Sequence, residues 1–175
     1  MSELYQVPLA GGRVTQLLPI PAIDAASSSK GDKLIYHDVK GTENPWRKHH
    51  TSSVTRDTWV YDFKAQSYTM LTTFAGEDRD PVFGANDDEY FYLSEQPSSF
   101  NVYKSSLSNP GQSTALTKFT RHPVRFLSRA NDNTLCFSWD GDLYTLKPGA
   151  EPVKVAVTVA VDGRANLDKI VPVNE

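Results

Sequence analysis

The sequence has almost no cysteine, no long apolar run and no excess of basic charge. Of its 175 residues only Cys136 is a cysteine, which excludes a disulfide within the chain and leaves the redox compartment open. Lys plus Arg is 18 and Asp plus Glu is 21, so the net charge of −3 argues against a general nucleic-acid or anionic-membrane binder. We expect no transmembrane helix, because no apolar run reaches about 18 residues, and no signal peptide, because "MSELYQVPLA" lacks a basic region followed by a long apolar one.

A convincing helical period is also missing, and a strand-like repeat stands in its place. An aromatic residue follows a polar residue and one spacer in "ELYQV", "DTWVY", "NVYKS" and "DLYTL". These aromatics, Tyr5, Trp59, Tyr103 and Tyr144, recur at intervals of roughly 40 to 55 residues. A second short run follows each of them, and a Pro-led run with a Gly-, Asn- or Asp-containing turn precedes three of them. The repeated unit is therefore four short strands joined by turns.

Four strands in about 42 residues is the period of a β-propeller blade. We predict an all-β fold, a partial β-propeller of about three and a half four-stranded antiparallel blades. The whole chain, 1–175, is predicted to be one partial propeller domain. A half blade at 1–18 precedes blades at 21–72, 81–117 and 123–156, and 157–175 is an exit segment toward a following domain. A β-sandwich is the alternative, but a sandwich needs no fixed internal period.

Propellers close with four to eight blades, so this chain is expected to be a piece of a longer polypeptide. An open arc would leave unpaired strand edges at both ends. We therefore predict that the isolated chain self-associates as a homo-oligomer or is only marginally stable.

The first full blade carries a long polar insertion, "GTENPWRKHHTSSVTRD" at 41–57, between its second and third strands. In a meandering blade this loop lies on the same face as the loop that enters the next blade, so 41–57 and 76–80 are predicted to converge near the channel mouth. The candidate substrate-binding residues are Trp46, Arg47, Lys48, His49, His50, Arg56 and Arg79. In the alternative, Arg56 and Arg79 only tie the two loops together through Asp57, Asp78 and Asp80.

No arrangement in the sequence indicates catalysis. The nucleophile elbow G-x-S-x-G is absent, and Ser52 and Ser53 lie near His49 and His50 in sequence without any indication of triad geometry. A metal site built from His37, Asp38, His49 and His50 lacks helical ligand spacing and a cysteine partner. We therefore predict no catalytic residue, no metal and no cofactor.

Several strings resemble tricorn-type serine peptidases, including bacterial homologues: "NPWRKHHTSSVTRDTWVYD", "GEDRDPVF", "YLSEQPSSFNVYK" and "HPVRFLS". The Pro-led strand, the "[DN]-x-[YW]" strand and the terminal "LT" are also shared by propellers of the TolB type. The tricorn resemblance covers nearly the whole chain and implies a non-catalytic propeller that filters peptide access to, or exit from, a buried active site. The sequence departs from that family by ending before any PDZ-like or peptidase segment.

The resemblance also implies partners and location. Expected partners are peptides or unfolded polypeptide and the PDZ-like and peptidase domains of a parent chain, with no nucleic acid and no membrane. The compartment would be cytoplasmic, as for tricorn, or the bacterial periplasm or cell envelope. The alternative function is a stand-alone TolB-like propeller module that binds a protein partner.

Overall fold

The computed structural model describes residues 2–42, 44, 46–96 and 98–160. All regular structure in these residues is β, arranged as thirteen strands in three antiparallel sheets. The described segments contain no helix that could cross a membrane. The predicted all-β fold class, with four-stranded repeating units, is confirmed.

Each sheet is a meander in which strands that are consecutive in sequence are hydrogen-bonded neighbours. The first sheet contains β1 (Glu3–Gln6), β2 (Thr15–Ser27), β3 (Lys33–Asp38), β4 (Thr58–Asp62) and β5 (Ser67–Met70). The second contains β6 (Asp78–Phe83), β7 (Glu89–Ser94), β8 (Asn101–Ser106) and β9 (Asn109–Ala115). The third contains β10 (Arg125–Arg129), β11 (Leu135–Trp139), β12 (Asp142–Leu146) and β13 (Val153–Lys154).

The first sheet has five strands because β2 is long. It runs without a break through both the expected last strand of the half blade and the expected first strand of the next blade. β1 pairs with its first part, with Tyr5 opposite Gln16. No glycine or asparagine interrupts "TQLLPIPAIDAAS", and proline is compatible with an extended backbone, so nothing in the segment forces a turn. The blade boundaries remain a prediction, and residues 161–175 of the expected exit segment lie outside the described residues.

Alternate residues of each strand point to opposite faces, and this period places two cores between the three sheets. Ile35 and Val60 of the first sheet pack with Tyr90, Tyr92 and Tyr103 of the second. The other face of the second sheet packs against the third through residues that include Phe91, Leu93, Val102, Leu135 and Phe137. Full burial of a large apolar side chain contributes about 1.5–3 kcal/mol to folding. The recurring aromatics Trp59, Tyr103 and Tyr144 pack in or against buried clusters.

The first strand of each four-stranded unit, namely β2, β6 and β10, carries a β-bulge at the same place. The register shifts between Ile23 and Ala26, between Arg79 and Val82, and between Arg125 and Ser128. The residue after the first of each pair has a positive φ: 49° at Asp24, 51° at Asp80 and 59° at Phe126. Bulges of this kind redirect a side chain away from the regular alternation. β2, β6 and β10 lie side by side and form the inner wall of the arc.

Candidate functional site

The insertion at 41–57, called the crossing loop below, extends from the first sheet across to the second and third. The backbone N–H of His49 donates to Oε1 of Glu95, which comes directly after β7, at 2.7 Å. Lys48 Nζ donates to the backbone oxygen of Arg121, just before the third sheet, at 3.5 Å. Trp46 contacts Arg125 at the start of β10. The insertion is therefore long enough to contact all three sheets.

A buried ion pair holds the crossing loop against the entry to β6. Arg56 Nη1 lies 2.8 Å from Oε1 of Glu77, whose residue is only 1% exposed. The same oxygen is 3.7 Å from Arg79 Nη1, and the N–H of Asp78 donates to the backbone oxygen of Arg56 at 2.9 Å. We call these contacts between Arg56, Glu77 and Arg79 the clasp. The two loops therefore converge, as predicted.

The acidic partner in the clasp differs from the three that the alternative named. The ion pairs that tie Arg56 and Arg79 are made with Glu77 rather than with Asp57, Asp78 or Asp80. Asp57 is instead bound by Lys40, beside the strand-entry turn. Arg79 also belongs to β6 and not to a loop, and its guanidinium lies 4.3 Å from the centre of the Phe100 ring.

Beneath the crossing loop lies a cavity of about 580 Å³, bounded by the three inner strands. Its size is within the usual range for a small-ligand site. Apolar side chains of the inner strands form part of the wall, and charged and aromatic groups form the rest. The lining residues are Ile23, Asp24, Ala25, Ala26, His37, Trp46, Arg56, Arg79, Asp80, Pro81, Val82, Arg125, Phe126 and Leu127.

One side of the cavity is aromatic and basic. The Arg125 guanidinium lies 4.7 Å from the centre of the Trp46 ring and donates to the Trp46 backbone oxygen at 3.5 Å. The rings of Trp46 and Phe126 meet edge to face at 6.3 Å, and these residues are 60% and 66% exposed. Burial lowers the pKa of Arg125, but an arginine remains charged at any physiological pH. This side therefore presents a cation and two accessible aromatic faces.

The other side is acidic and is formed by Asp24 and Asp80 with His37 between them. The ligand atoms of the three residues all lie within 4.8 Å of one another. Asp24 Oδ2 is 3.5 Å from His37 Nε2, and Asp80 Oδ1 is 3.9 Å from His37 Nδ1. Asp24 is exposed, Asp80 is half-buried and His37 is only 1% exposed. Burial raises the pKa of Asp80 above its usual value, although the nearby Arg79 and Arg56 act in the opposite direction.

The hydrogen bonds of His37 determine its chemistry. Burial, together with the Arg56 and Arg79 guanidinium groups, lowers the pKa of His37 to about 3, so the ring is neutral at neutral pH. Nδ1 accepts the backbone N–H of Asp80 at 3.1 Å. A neutral imidazole that accepts at Nδ1 carries its proton on Nε2. Nε2 could bind a metal ion only if the proton moved to Nδ1 and this bond broke, so we regard the group as a poor transition-metal site despite its ligand types.

Sequence patterns identified only part of this site. The candidates Trp46, Arg56 and Arg79 line the cavity. Lys48 and His49 instead attach the crossing loop to neighbouring sheets. His50 is buried and Arg47 is exposed, and neither lines the cavity.

The cavity residues that were not anticipated as candidates lie mostly on the inner strands, and they include Asp24, His37, Asp80, Arg125 and Phe126. Three of them occupy the same bulge position in β2, β6 and β10. Aligning "AIDAA", "DRDPV" and "VRFLS" at their central residues would have indicated those three.

The sequence has no match among protein-family models and none among curated proteins. Solved structures do match. The tricorn protease superposes with a TM-score of 0.73 at 16% identity, over 92% of this chain and 15% of that one. The fold is that of a tricorn- and TolB-like propeller segment. A putative TolB from Agrobacterium tumefaciens matches with a TM-score of 0.70 at 13% identity, over 87% of this chain and 55% of that one.

A third similar structure is a puromycin-hydrolyzing peptidase from Mycobacterium tuberculosis. It matches with a TM-score of 0.61 at 13% identity, over 82% of this chain and 23% of that chain. At such identities the similarity shows the fold and not the activity. The chain spans between about a seventh and about half of the length of these three proteins.

Proposed function

We propose that this chain is the non-catalytic propeller segment of a tricorn-like serine peptidase, and that it binds and filters peptides on their way to or from a hydrolase active site. The observation that carries the proposal is the placement of the crossing loop. It brings Trp46 from the first sheet over a cavity formed by the inner strands of all three sheets. Loops held over a rigid repeat scaffold are where such folds place their binding groups.

The cavity has the chemistry that an extended peptide requires. Peptides offer charged termini, backbone amides and apolar side chains, and the cavity offers carboxylates, guanidinium groups and apolar walls. Trp46 and Arg125 belong to the residue types that dominate binding energy in interfaces. The described residues around the cavity contain no serine that could act as a nucleophile, which fits a role in binding.

The test is peptide binding by the pure chain. We expect a fluorescently labelled peptide of about ten residues to bind, which is measured as a rise in its fluorescence anisotropy. Trp46→Ala should weaken the affinity on the order of tenfold. Trp46 is largely exposed, so its removal should leave the fold intact. Phe63→Ala is the matched control, because Phe63 is a partly exposed aromatic beside the end of β4 and does not line the cavity. Equal affinities in all three proteins, or no binding by any of them, would contradict the proposal.

A second candidate is a stand-alone TolB-like module that binds a protein partner, and the TM-score of 0.70 with the putative TolB favours it. The two candidates differ in the domains expected on the C-terminal side of the propeller. A tricorn-like parent would continue into PDZ-like and peptidase regions, so the reading frame after Glu175 distinguishes them. The chain alone should hydrolyse no peptide in either case, and hydrolysis that is lost in Ser52→Ala would overturn both.

A further inference from the structure

The acidic side of the cavity has a hydrogen-bond donor that nothing in the described structure satisfies. His37 Nε2 is buried and makes no hydrogen bond with the described residues, although it lies 3.5 Å from Asp24 Oδ2. Since Nδ1 accepts the Asp80 N–H, Nε2 carries the proton. A buried donor without a partner costs about 1–3 kcal/mol, so it is a place where a ligand gains affinity by supplying an acceptor.

The three residues together specify an unusual combination of groups. Asp24 and Asp80 attract a cation, whereas His37 Nε2–H requires a hydrogen-bond acceptor. One ligand atom from each of the three residues lies within 4.8 Å of the other two. A bare metal ion satisfies the carboxylates but places a positive charge against an N–H donor. An α-ammonium group satisfies both, because the carbonyl oxygen of the same residue is only two bonds from the Cα that carries the ammonium.

We propose that Asp24, Asp80 and His37 bind the free amino terminus of a peptide, an inference that rests on the peptide-binding function proposed above. The ammonium lies between the two carboxylates, and the first carbonyl oxygen accepts the His37 Nε2–H. Both contacts to the ammonium are charge-assisted hydrogen bonds, which are about twice as strong as neutral ones. The peptide then continues along the inner wall toward Phe126 and Trp46.

Arg56 and Arg79 on the same wall favour the charged form of Asp80, and both are also paired with a second carboxylate. Arg56 and Arg79 lie 2.8 and 3.7 Å from the buried Glu77 carboxylate, and Arg79 also lies over Phe100. Arg125 is at the opposite side, over the Trp46 ring. The cavity therefore separates its charges, which gives a bound peptide a direction, with the amino terminus at β2 and β6 and the chain leaving past β10.

The test compares two peptides that differ only in the amino terminus. The probes are trialanine amide with a free α-amino group and the same peptide with an N-acetyl group, titrated into the 175-residue chain and detected by NMR. We expect N-acetylation to weaken binding on the order of tenfold or more. Asp24→Asn should reduce the affinity for the free amine by a similar factor and leave that for the acetylated peptide unchanged. The control is Asp142→Asn, because the Asp142 carboxylate pairs with Lys154 outside the cavity. This substitution should change the affinity for neither peptide.

The outcomes separate the two proposals. If both peptides bind equally well and Asp24→Asn has no effect, amino-terminal recognition is wrong while peptide binding stands. If neither the trialanine probes nor the ten-residue peptide binds, the peptide-binding function itself is wrong. A parallel titration with zinc chloride or calcium chloride covers the remaining case: stoichiometric binding that is lost in Asp24→Asn and not displaced by the free-amine peptide would make this a metal site and overturn the inference.

Discussion

Replacing Glu77 by Gln is expected to lower the free energy of unfolding by about 3–5 kcal/mol, because it removes the buried carboxylate that balances two buried guanidinium groups. The Glu77 side chain is 1% exposed, and those of Arg56 and Arg79 are 12% and 6% exposed. Water therefore has little access to solvate the two guanidinium groups once the carboxylate charge is gone. The amide has nearly the shape of the carboxylate, so the effect reports charge and not a cavity. Urea denaturation monitored by tryptophan fluorescence measures it.

The matched control is the exposed ion pair of Asp142 and Lys154, whose side chains are 41% and 56% exposed. Asp142→Asn should cost no more than about 1 kcal/mol. A double-mutant cycle of Glu77→Gln with Arg56→Met then isolates the pair, and we expect coupling of more than about 1 kcal/mol. A loss below about 1 kcal/mol in Glu77→Gln would show that the crossing loop is not held by the clasp.

Replacing Asp78 by Asn is expected to stabilise the protein, with a gain that depends on pH. Asp78 is 0% exposed, and its carboxylate oxygens receive no hydrogen bond of good geometry from the described residues, although the Ser94 and Thr72 hydroxyls lie near enough to favour the charged form. The corresponding positions before the other two bulges are occupied by Ala22 and Val124, both fully buried. Burial, with the nearby Asp57 and Glu77 carboxylates, raises the pKa of Asp78 to about 7; the Ser94 and Thr72 hydroxyls act the other way but do not offset it.

The direction of the pH effect can be derived from that shift. Between the unfolded value of 3.8 and about 7 the folded protein holds a proton on Asp78 that the unfolded chain has released, so wild-type stability falls as the pH rises through this window. The gain of Asp78→Asn over wild type should therefore be small at pH 4 and reach about 3–4 kcal/mol at pH 8. Urea denaturation of both proteins at the two pH values measures it, and subtracting wild type removes other titrating groups such as His37. The same gain at both pH values, or a loss at pH 8, would show that Asp78 is not an uncompensated buried carboxylate.

The repeat of aromatic strands was sufficient to predict the sheets, because blade packing requires the same alternation in every unit. The third strands of the second and third sheets begin at Asn101 and Asp142, which are the polar residues of the motifs "NVYKS" and "DLYTL". The inner strands were harder to predict. β6 was expected to begin at Pro81, but it begins at Asp78, because a proline can lie at a bulge where no ladder hydrogen bond is needed.

The acidic side of the cavity could not be predicted from the sequence, for two physical reasons. Bulges break the period of two, so the direction of Asp24 or Asp80 cannot be derived from alternation. His37 pairs with Ile23 at the bulge of β2, and the equivalent residue in the second sheet is Leu93, which pairs with Arg79 at the bulge of β6. A histidine inside an apolar strand pattern does not reveal which backbone N–H will fix its tautomer. Only the packing of β3 against β6 shows that.

The three equivalent bulges on the inner strands have a consequence for how the chemistry of the cavity wall can vary. At Asp24, Asp80 and Phe126 the backbone adopts nearly the same left-handed conformation, so each position presents its side chain from an equivalent point on the wall. Aspartate tolerates this conformation well, whereas a bulky phenylalanine is strained in it. Exchanging the residue at one bulge alters the charge or polarity of the cavity wall while the hydrogen-bonded ladder around it stays as it is. The chemistry of the inner wall can therefore be changed at one strand at a time, because each bulge separates the choice of side chain from the demands of sheet formation.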